Sequence, residues 1–206
     1  MSGCFTLVVN YPKESYGEYV RKMTRGILDE YSHVAILNSG VRIIDESDFY
    51  SLPERYPDAD IICVNVIPSS RVFRIWEKMT YWARLAPPMR GQAVIYSSAF
   101  LKWIGGYPQL YASADTWLLQ RSRNTVIASD VSVVHREPFS LKDSFWRQIR
   151  DGEGRFFLKY SLWKTVLHSV FRLRPFVGLA YIYYRLKTNS HDSIFQRRWK
   201  RNAKKT

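Results

Sequence analysis

Asp115 is the side chain of this sequence best placed to act as a reactive carboxylate. It follows "IGGYPQLYASA", residues 104–114, and precedes "TWLLQ", which has the pattern of a helix start. A carboxylate at such a place projects into a cleft and accepts a proton from a substrate hydroxyl group. An Asp in the first turn of a helix is equally favoured by the helix dipole, with Ser113 as the N-cap. The residues alone leave the catalytic and the structural interpretation open.

Seven further residues are candidates for binding a substrate, and each also has an ordinary structural interpretation. Two glycines permit close approach of a ligand or cap a helix. Two arginines grip phosphate or form the solvated face of a helix. An aromatic ring stacks on a ligand or joins the core, and an Asn and a His end strands. The seven residues are Asn38, Gly105, Gly106, Tyr107, His135, Arg147 and Arg150.

The elements that position these residues alternate between strand and helix patterns. Apolar strand-like runs cover residues 5–10, 34–37, 60–67, 92–97 and 125–135, and the run at 60–67 is apolar enough to be covered on both faces. Helical patterns cover 15–31, 71–85 and the segment after 97. This order predicts an α/β fold with a mostly parallel sheet flanked by helices. Ligands bind at the carboxyl ends of such strands, so we expect the turns after "VAIL" and "QAVIYS" to form the walls of a site.

The positive charge lies in the C-terminal third. The net charge is +13, and residues 141–206 contain 16 Lys and Arg against four acidic residues. Aromatic residues alternate there with Arg and Lys, a pattern typical of helices that lie on an anionic membrane surface. We therefore divide the chain into an α/β core (1–140), amphipathic membrane-surface helices (141–190) and a basic tail (191–206). Positive charge alone also fits nucleic acid, which we rank last as a partner.

The cysteine content and the apolar segments favour an intracellular protein without a membrane span. Cys4 and Cys63 form no disulfide or zinc pattern, and no signal peptide is visible. The run "PFVGLAYIYY" is too short to cross a bilayer. We expect a cytoplasmic protein, peripheral on the inner face of the membrane.

Taken in order, the segments of residues 1–160 resemble the family 2 glycosyltransferases, which have the GT-A fold. The matching segments are "VAILNSG", "RIIDESDFYSLPERYPDADIICVNVIPSS", "GQAVIYSSAFLKWIGGYP", "ADTWLLQR", "VSVVH" and "FSLKDSFWRQIRDGEGRFF". The resemblance implies transfer of a sugar from a nucleotide-activated donor to a glycan or lipid-linked acceptor. It places the catalytic base at Asp115.

Two departures from the family pattern concern charge. The position of the metal-binding Asp-x-Asp reads Asn38-Ser39-Gly40, and the Glu that usually precedes the base is Ala114. A Mg²⁺ or Mn²⁺ cofactor loses its expected anionic ligands here, and Asn38 and His135 are possible contacts for a metal. Asp45 contributes only if the turn folds back.

The third departure is the short segment before Asn38. In the favoured register, "VAILNSG" aligns with the family's strand that ends in Asp-x-Asp. In that register the chain lacks the N-terminal part of the nucleotide-binding half, or a partner chain supplies it. In a rival register, "FTLVVN" is the family's first strand. A hexosyltransferase-type enzyme is our main hypothesis, and a non-catalytic or split relative that acts as a binding or partner subunit is the alternative.

Overall fold

The computed structural model describes residues 3–9, 16–71, 74–75, 78, 91–108, 114–136, 141–171 and 174–187. For residues 141–144 it describes the backbone alone. The strands are β1 (Cys4–Val9), β2 (His33–Asn38), β3 (Val41–Ile43), β4 (Ile61–Pro68), β5 (Ala93–Ser97) and β6 (Thr125–His135). The helices are α1 (Tyr16–Thr24), α2 (Glu46–Arg55), α3 (Ser98–Trp103), α4 (Ala114–Leu119), α5 (Leu141–Phe157), α6 (Leu162–Phe171) and α7 (Pro175–Lys187).

The six strands form one sheet in the order β1-β2-β5-β4-β6-β3. Strand β1 pairs with β2 and β4 pairs with β6 in parallel, whereas β5 and β3 are antiparallel to their neighbours. Four of the six strands therefore point in one direction. The predicted fold class, an α/β domain with a mostly parallel sheet flanked by helices, is confirmed.

Apolar layers cover both faces of the central strands. Alternate side chains of β2, β4 and β5 point to opposite faces because the side-chain period of a strand is two. Ile36, Ile61 and Val94 join the layer that includes α1, α3 and α4. Leu37 and Ile62 join the layer beneath α2. The prediction that the run at 60–67 is covered on both faces is therefore confirmed.

The direction of β5 corrects one expectation about the site. Ser97, at the end of β5, pairs with His33 at the start of β2. The turn after "QAVIYS" thus lies at the end of the sheet opposite Asn38, and the prediction that it forms a wall of the same site is wrong. The start of β5, at residues 91–93, lies beside Asn38 instead. A run of apolar residues carries no signal of strand direction, which explains the error.

The sequence does not predict strand β3, because three residues between two turns give too short a pattern. The helix predicted over 71–85 lies largely outside the described residues, as do Ser113 and the tail 191–206.

Helices α5 and α7 pack closely through a glycine. A methyl group added at Gly152 of α5 would lie 2.4 Å from the carbonyl oxygen of Val177 and 2.7 Å from Cβ of Ala180. The Tyr181 hydroxyl group donates a hydrogen bond to the carbonyl oxygen of Tyr160. The described residues of these helices are absent from both apolar layers of the sheet, so α5, α6 and α7 bury their apolar surface largely against each other. The boundaries at 140 and 190 stay predictions.

Within the described segments, none of the helices is both long and apolar enough to cross a membrane.

Cys4 and Cys63 are free thiols. Burial raises the pKa of the Cys4 thiol to about 11, so the thiol is protonated at neutral pH.

We predict that Gly152→Ala destabilises the protein. The added methyl group forces α5 and α7 apart, and overpacking of this kind costs about 1–3 kcal/mol. Urea unfolding measures the change. The matched control is Gly26→Ala, because a methyl group there meets no atom within 4 Å. Equal stability of the two variants would show that α5 and α7 do not pack as described.

Candidate active site

The candidate site lies at the end of the sheet where β2, β4 and β6 finish. These three strands run in the same direction, so Asn38, Pro68 and His135 share one edge. Strand β5 begins at this edge, and the backbone N–H of Asn38 donates to the carbonyl oxygen of Gln92 over 2.8 Å. The antiparallel strand therefore brings residues 91 and 92 beside the turn that follows β2.

The turn at Asn38-Ser39-Gly40 contacts the end of β6. The backbone N–H of Arg136 donates to the carbonyl oxygen of Gly40 over 2.8 Å. A methyl group at Gly40 would lie 2.3 Å from the carbonyl oxygen of Arg136 and 3.4 Å from Cδ2 of His135. His135 is buried. The structure thus brings Asn38 and His135 to the same turn, although sequence places them about a hundred residues apart.

Asp115 occupies the first turn of α4, packed against the segment that leads into β5. A methyl group at Gly91 would lie 2.3 Å from Oδ2 of Asp115, so a side chain at position 91 would displace the carboxyl group. The carboxyl group accepts backbone N–H hydrogen bonds from Thr116 and Gly91. As a whole residue Asp115 is half-buried. Its carboxyl group is enclosed enough that burial raises its pKa, and the negative charge of Asp151 raises the pKa further against the effect of these hydrogen bonds.

Buried aromatic and thiol groups surround the Asp115 carboxyl group. Burial raises the pKa of the Cys63 thiol to about 12, and the negative charge of Asp115 adds to the increase. Burial likewise holds the pKa values of Tyr96 and Tyr107 well above the usual value, with the charge of Asp115 among the further causes. All three groups are therefore neutral at physiological pH. Three neutral groups therefore lie within the range of the Asp115 charge.

Tyr107 and Tyr16 connect this environment to Asn38. The ring of Tyr107 is buried and packs edge-on against Tyr96 and Tyr16, with centroid distances of 5.9 and 6.3 Å. The Tyr16 hydroxyl group donates to Oδ1 of Asn38 over 3.4 Å. The predicted contact of Tyr107 with a sugar stays a prediction, since its ring contacts other aromatic residues in this conformation.

Gly105 and Gly106 end helix α3. Both have positive φ angles, 81° and 95°, which glycine adopts without strain. The N–H of Gly106 donates to the carbonyl oxygen of Leu101 over 2.7 Å, as in a helix cap. Gly106 lies close to the guanidinium group of Arg21. These contacts explain both glycines structurally, and their role in binding stays a prediction.

Arg147 and Arg150 lie on α5, the helix that also carries Asp151. Nε of Arg150 donates to the carbonyl oxygen of Trp146 over 3.2 Å. Asp151 follows one helical turn after Arg147, forms an ion pair with Arg174 over 2.7 Å and influences the pKa of Asp115. Through Asp151, helix α5 comes close enough to Asp115 to act on its charge. A role of the two arginines in binding phosphate stays a prediction.

Asp45 does not fold back toward Asn38. It is the N-cap of α2, and its Oδ1 accepts a hydrogen bond from the N–H of Asp48 over 3.0 Å. Among the residues that the structure describes, His, Cys, Asp and Glu form no group of three that could hold a metal ion. Asn38 and His135 offer only neutral donor atoms, whereas Mg²⁺ prefers carboxylates and other oxygen ligands. Asn38 and His135 alone are therefore a poor set of ligands for a hard divalent cation, and the possible Mg²⁺ or Mn²⁺ cofactor stays a prediction.

Sequence reasoning missed three residues of this site: Gly91, Tyr96 and Asp151. The only sequence signal for Gly91 is its place before a strand. Tyr96 belongs to an apolar run and reads as core. Asp151 lies one turn after Arg147, a spacing that places both residues on one side of a helix. This spacing could have added Asp151 to the candidate residues of the site.

Comparison with known proteins finds likenesses to solved structures. No family model matches the chain, and no curated protein matches it. Among solved structures, the chain is similar to residues 1–349 of S. aureus TarS, crystallised in complex with UDP, with a TM-score of 0.38 and 12% sequence identity. The likeness covers 92% of this chain and 84% of that chain. A likeness at this level carries no argument about function.

We predict that Asp115→Asn is more stable than the wild type at neutral pH. Because the folded-state pKa of Asp115 is raised above its unfolded value, ionisation weakens folding once the pH exceeds that unfolded value. The difference in unfolding free energy between variant and wild type should be largest near neutral pH. It should shrink below about pH 4, where the carboxyl group is protonated in both states.

Urea unfolding from acid to neutral pH measures this dependence. Asp58→Asn, which removes an exposed carboxyl group, is the control for a general effect of charge. An Asp115→Asn variant that is less stable than the wild type at neutral pH would contradict the described burial.

Proposed function

We propose that this protein is a glycosyltransferase that uses a nucleotide-activated sugar donor, with Asp115 as its general base. The observation that carries the proposal is the position of Asp115. Its carboxyl group lies at the start of β5, against Gly91, at the sheet edge that also holds Asn38 and His135. This is the residue to which the resemblance to family 2 glycosyltransferases assigns the base, and the burial of its carboxyl group suits that role.

The proposed reaction is a direct displacement. Asp115 accepts the proton of an acceptor hydroxyl group while the hydroxyl oxygen attacks the anomeric carbon of the donor sugar. The bond between that carbon and the diphosphate oxygen breaks, and the nucleoside diphosphate leaves with the bonding electrons. A carboxylate with a raised pKa is a stronger base, which favours this proton transfer near neutral pH.

Arg147 and Arg150 are the proposed ligands of the leaving diphosphate. Guanidinium groups pair with phosphate oxygens through two parallel hydrogen bonds and remain charged at every physiological pH. Helix α5, which carries both, is the helix whose Asp151 acts on Asp115. Asn38 and His135 supply neutral hydrogen-bonding groups on the other side of the site. The proposed acceptor is a glycan or a lipid-linked sugar, reached from the cytoplasmic face of the membrane.

A second candidate is a non-catalytic or split relative whose nucleotide-binding half belongs to a partner chain. The observation that favours it is the edge of the sheet at β1. Among the described strands, β1 pairs with β2 alone, and Val8 is 54% exposed. A free strand edge accepts a further strand from another chain.

Calorimetry with a panel of nucleotide sugars separates the two candidates. Binding of a nucleotide sugar by the isolated chain, followed by transfer or hydrolysis, supports the enzyme. Binding without turnover supports the non-catalytic relative, and absence of binding to the whole panel contradicts the transferase proposal for the isolated chain.

We predict that Asp115→Asn lowers the transfer rate by about 10²–10⁴-fold, because general-base catalysis contributes that factor. The Michaelis constant for the donor should change little, since the amide retains the shape of the carboxyl group. Steady-state kinetics measure both quantities, with Asp58→Asn as the matched control. Unchanged turnover in Asp115→Asn would remove Asp115 from the mechanism.

We also predict that Asp151→Asn moves the acidic limb of the pH–rate profile to lower pH. The charge of Asp151 raises the pKa of Asp115, so its removal lowers that pKa and the base ionises at lower pH. The maximal rate should fall far less than in Asp115→Asn, because the base is weakened and not removed, and this separates an effect on the charge of the base from a general structural loss. An unchanged acidic limb would show that the two carboxylates do not interact.

A further inference from the structure

Helix α6 buries polar side chains and exposes apolar ones. Its buried face is polar and consists of Thr165, His168 and Ser169. Two of these side chains bond to the backbone and one to an arginine: Ser169 Oγ donates to the carbonyl oxygen of Thr165 over 2.7 Å, Thr165 Oγ1 donates to that of Ser161 over 2.9 Å, and Nε2 of His168 lies 3.2 Å from Nη2 of Arg155. The opposite face exposes Trp163, Val170 and Phe171. A helix of a water-soluble domain normally has the reverse arrangement.

Helix α7 has two apolar faces. One face is buried, and Val177, Ala180 and Tyr181 lie on it. The other face is exposed and lies within an arc of about 120° on the helix surface, as helical geometry gives for these positions. The residues of the exposed face are Phe176, Leu179, Ile182, Tyr183 and Leu186.

The exposed apolar surface extends to the start of α5. The Phe176 ring contacts Phe145 at a centroid distance of 4.7 Å, and Phe145 contacts Trp146 at 5.2 Å. We name the exposed apolar residues of α5, α6 and α7 the C-terminal apolar surface. It comprises Phe145, Trp146, Trp163, Val170, Phe171, Phe176, Leu179, Ile182, Tyr183 and Leu186. An exposed apolar patch such as the one that Phe145, Trp146 and Phe176 form marks an interaction site.

Cationic side chains accompany this surface. Lys159, Lys164, Arg185 and Lys187 are exposed on the same three-helix segment. Its acidic residues between 145 and 187 are Asp151, which pairs with Arg174, and Glu153, which is a hydrogen-bond partner of Tyr184. The chain from 188 to 206 adds six Lys and Arg against one Asp.

We propose that the C-terminal apolar surface docks on an anionic lipid membrane. Lipid tails take the exposed apolar side chains, and lipid phosphates take the surrounding cations. A second copy of this chain fits less well, because a symmetric contact would place two cationic segments against each other. The proposal does not rest on the transferase activity.

Flotation of the full chain with vesicles tests the proposal. Vesicles of phosphatidylcholine alone are compared with vesicles that also contain phosphatidylglycerol. We expect stronger binding to the anionic vesicles by about tenfold or more, and weakening of that binding by added salt.

Two double variants test the apolar contribution: Leu179→Asn with Leu186→Asn on α7, and Trp163→Gln with Val170→Gln on α6. Leu179 and Leu186 are 59% and 75% exposed, so their replacement should leave the thermal midpoint unchanged. Each pair should lower the partition constant on anionic vesicles by about tenfold or more. The matched control is Ile44→Asn with Ile75→Asn, two isoleucines that are 60% and 62% exposed outside these helices. The control should bind as the wild type does.

Several outcomes would overturn the proposal: no flotation of the wild type, wild-type binding by both helix variants, or an equal loss in the control. Sedimentation velocity supplies a further one. If the wild type is an oligomer that the helix variants convert to monomers without any binding to vesicles, the surface is an interface between copies of this chain. Nucleotide-sugar binding is measured on the same samples, so a failure of docking is distinguished from a failure of the transferase proposal.

Discussion

A buried carboxylate constrains the arrangement of this molecule at one edge of its sheet. The carboxyl group of Asp115 lies so close to Gly91 that position 91 has no room for a side chain. Its neighbours toward the sheet include Cys63 and the hydroxyl-bearing Tyr96, both neutral at physiological pH. Among the described residues, backbone N–H groups and the N-terminal turn of α4 offset part of the loss of hydration. The proposed role of Asp115 as a general base would account for a charge that costs folding energy at neutral pH.

Asp151 connects the same carboxylate to the C-terminal helices. It acts on Asp115, and it pairs with Arg174 at the entry to α7. Both partners of this pair are partly exposed, so we assign it no more than about 1 kcal/mol of stability. Its importance lies in position: α5 adjoins the Asp115 site and also packs on α7 through Gly152. A membrane bound to the exposed face of α7 would lie on the helical layer next to the site, which suits an acceptor carried by a lipid.

The sequence predicted those parts of the fold that depend on local pattern. Continuous apolar runs predict the buried strands β2, β4 and β5. The bounds of these strands in the structure differ from the predicted bounds by no more than one residue. Strand direction depends on contacts between distant segments, and the antiparallel course of β5 could not be predicted from its own residues. That single reversal moved one wall of the expected site to the opposite end of the sheet and placed Gly91 beside Asp115.

The candidate site was predictable in part for the same reason. Asp115, Asn38 and His135 stand at element ends, where polar residues interrupt apolar runs, and the structure brings the last two to one turn. Gly91 and Tyr96 carry no local signal, because a glycine before a strand and a tyrosine within one are ordinary. The sequence also could not show that α6 buries its polar face, because its apolar residues have the same helical spacing whichever face is buried.

The most direct test of the central claim is a carbon NMR titration of the Asp115 carboxyl group, assigned by its loss in Asp115→Asn, with and without a saturating nucleotide sugar. The account predicts that the free protein titrates above the ordinary range for an aspartate, which is about 3.9 in model peptides. It also predicts that the bound donor, which carries a diphosphate, changes the titration. An ordinary pKa that the donor leaves unchanged would contradict both the buried carboxylate and its place in a nucleotide-sugar site.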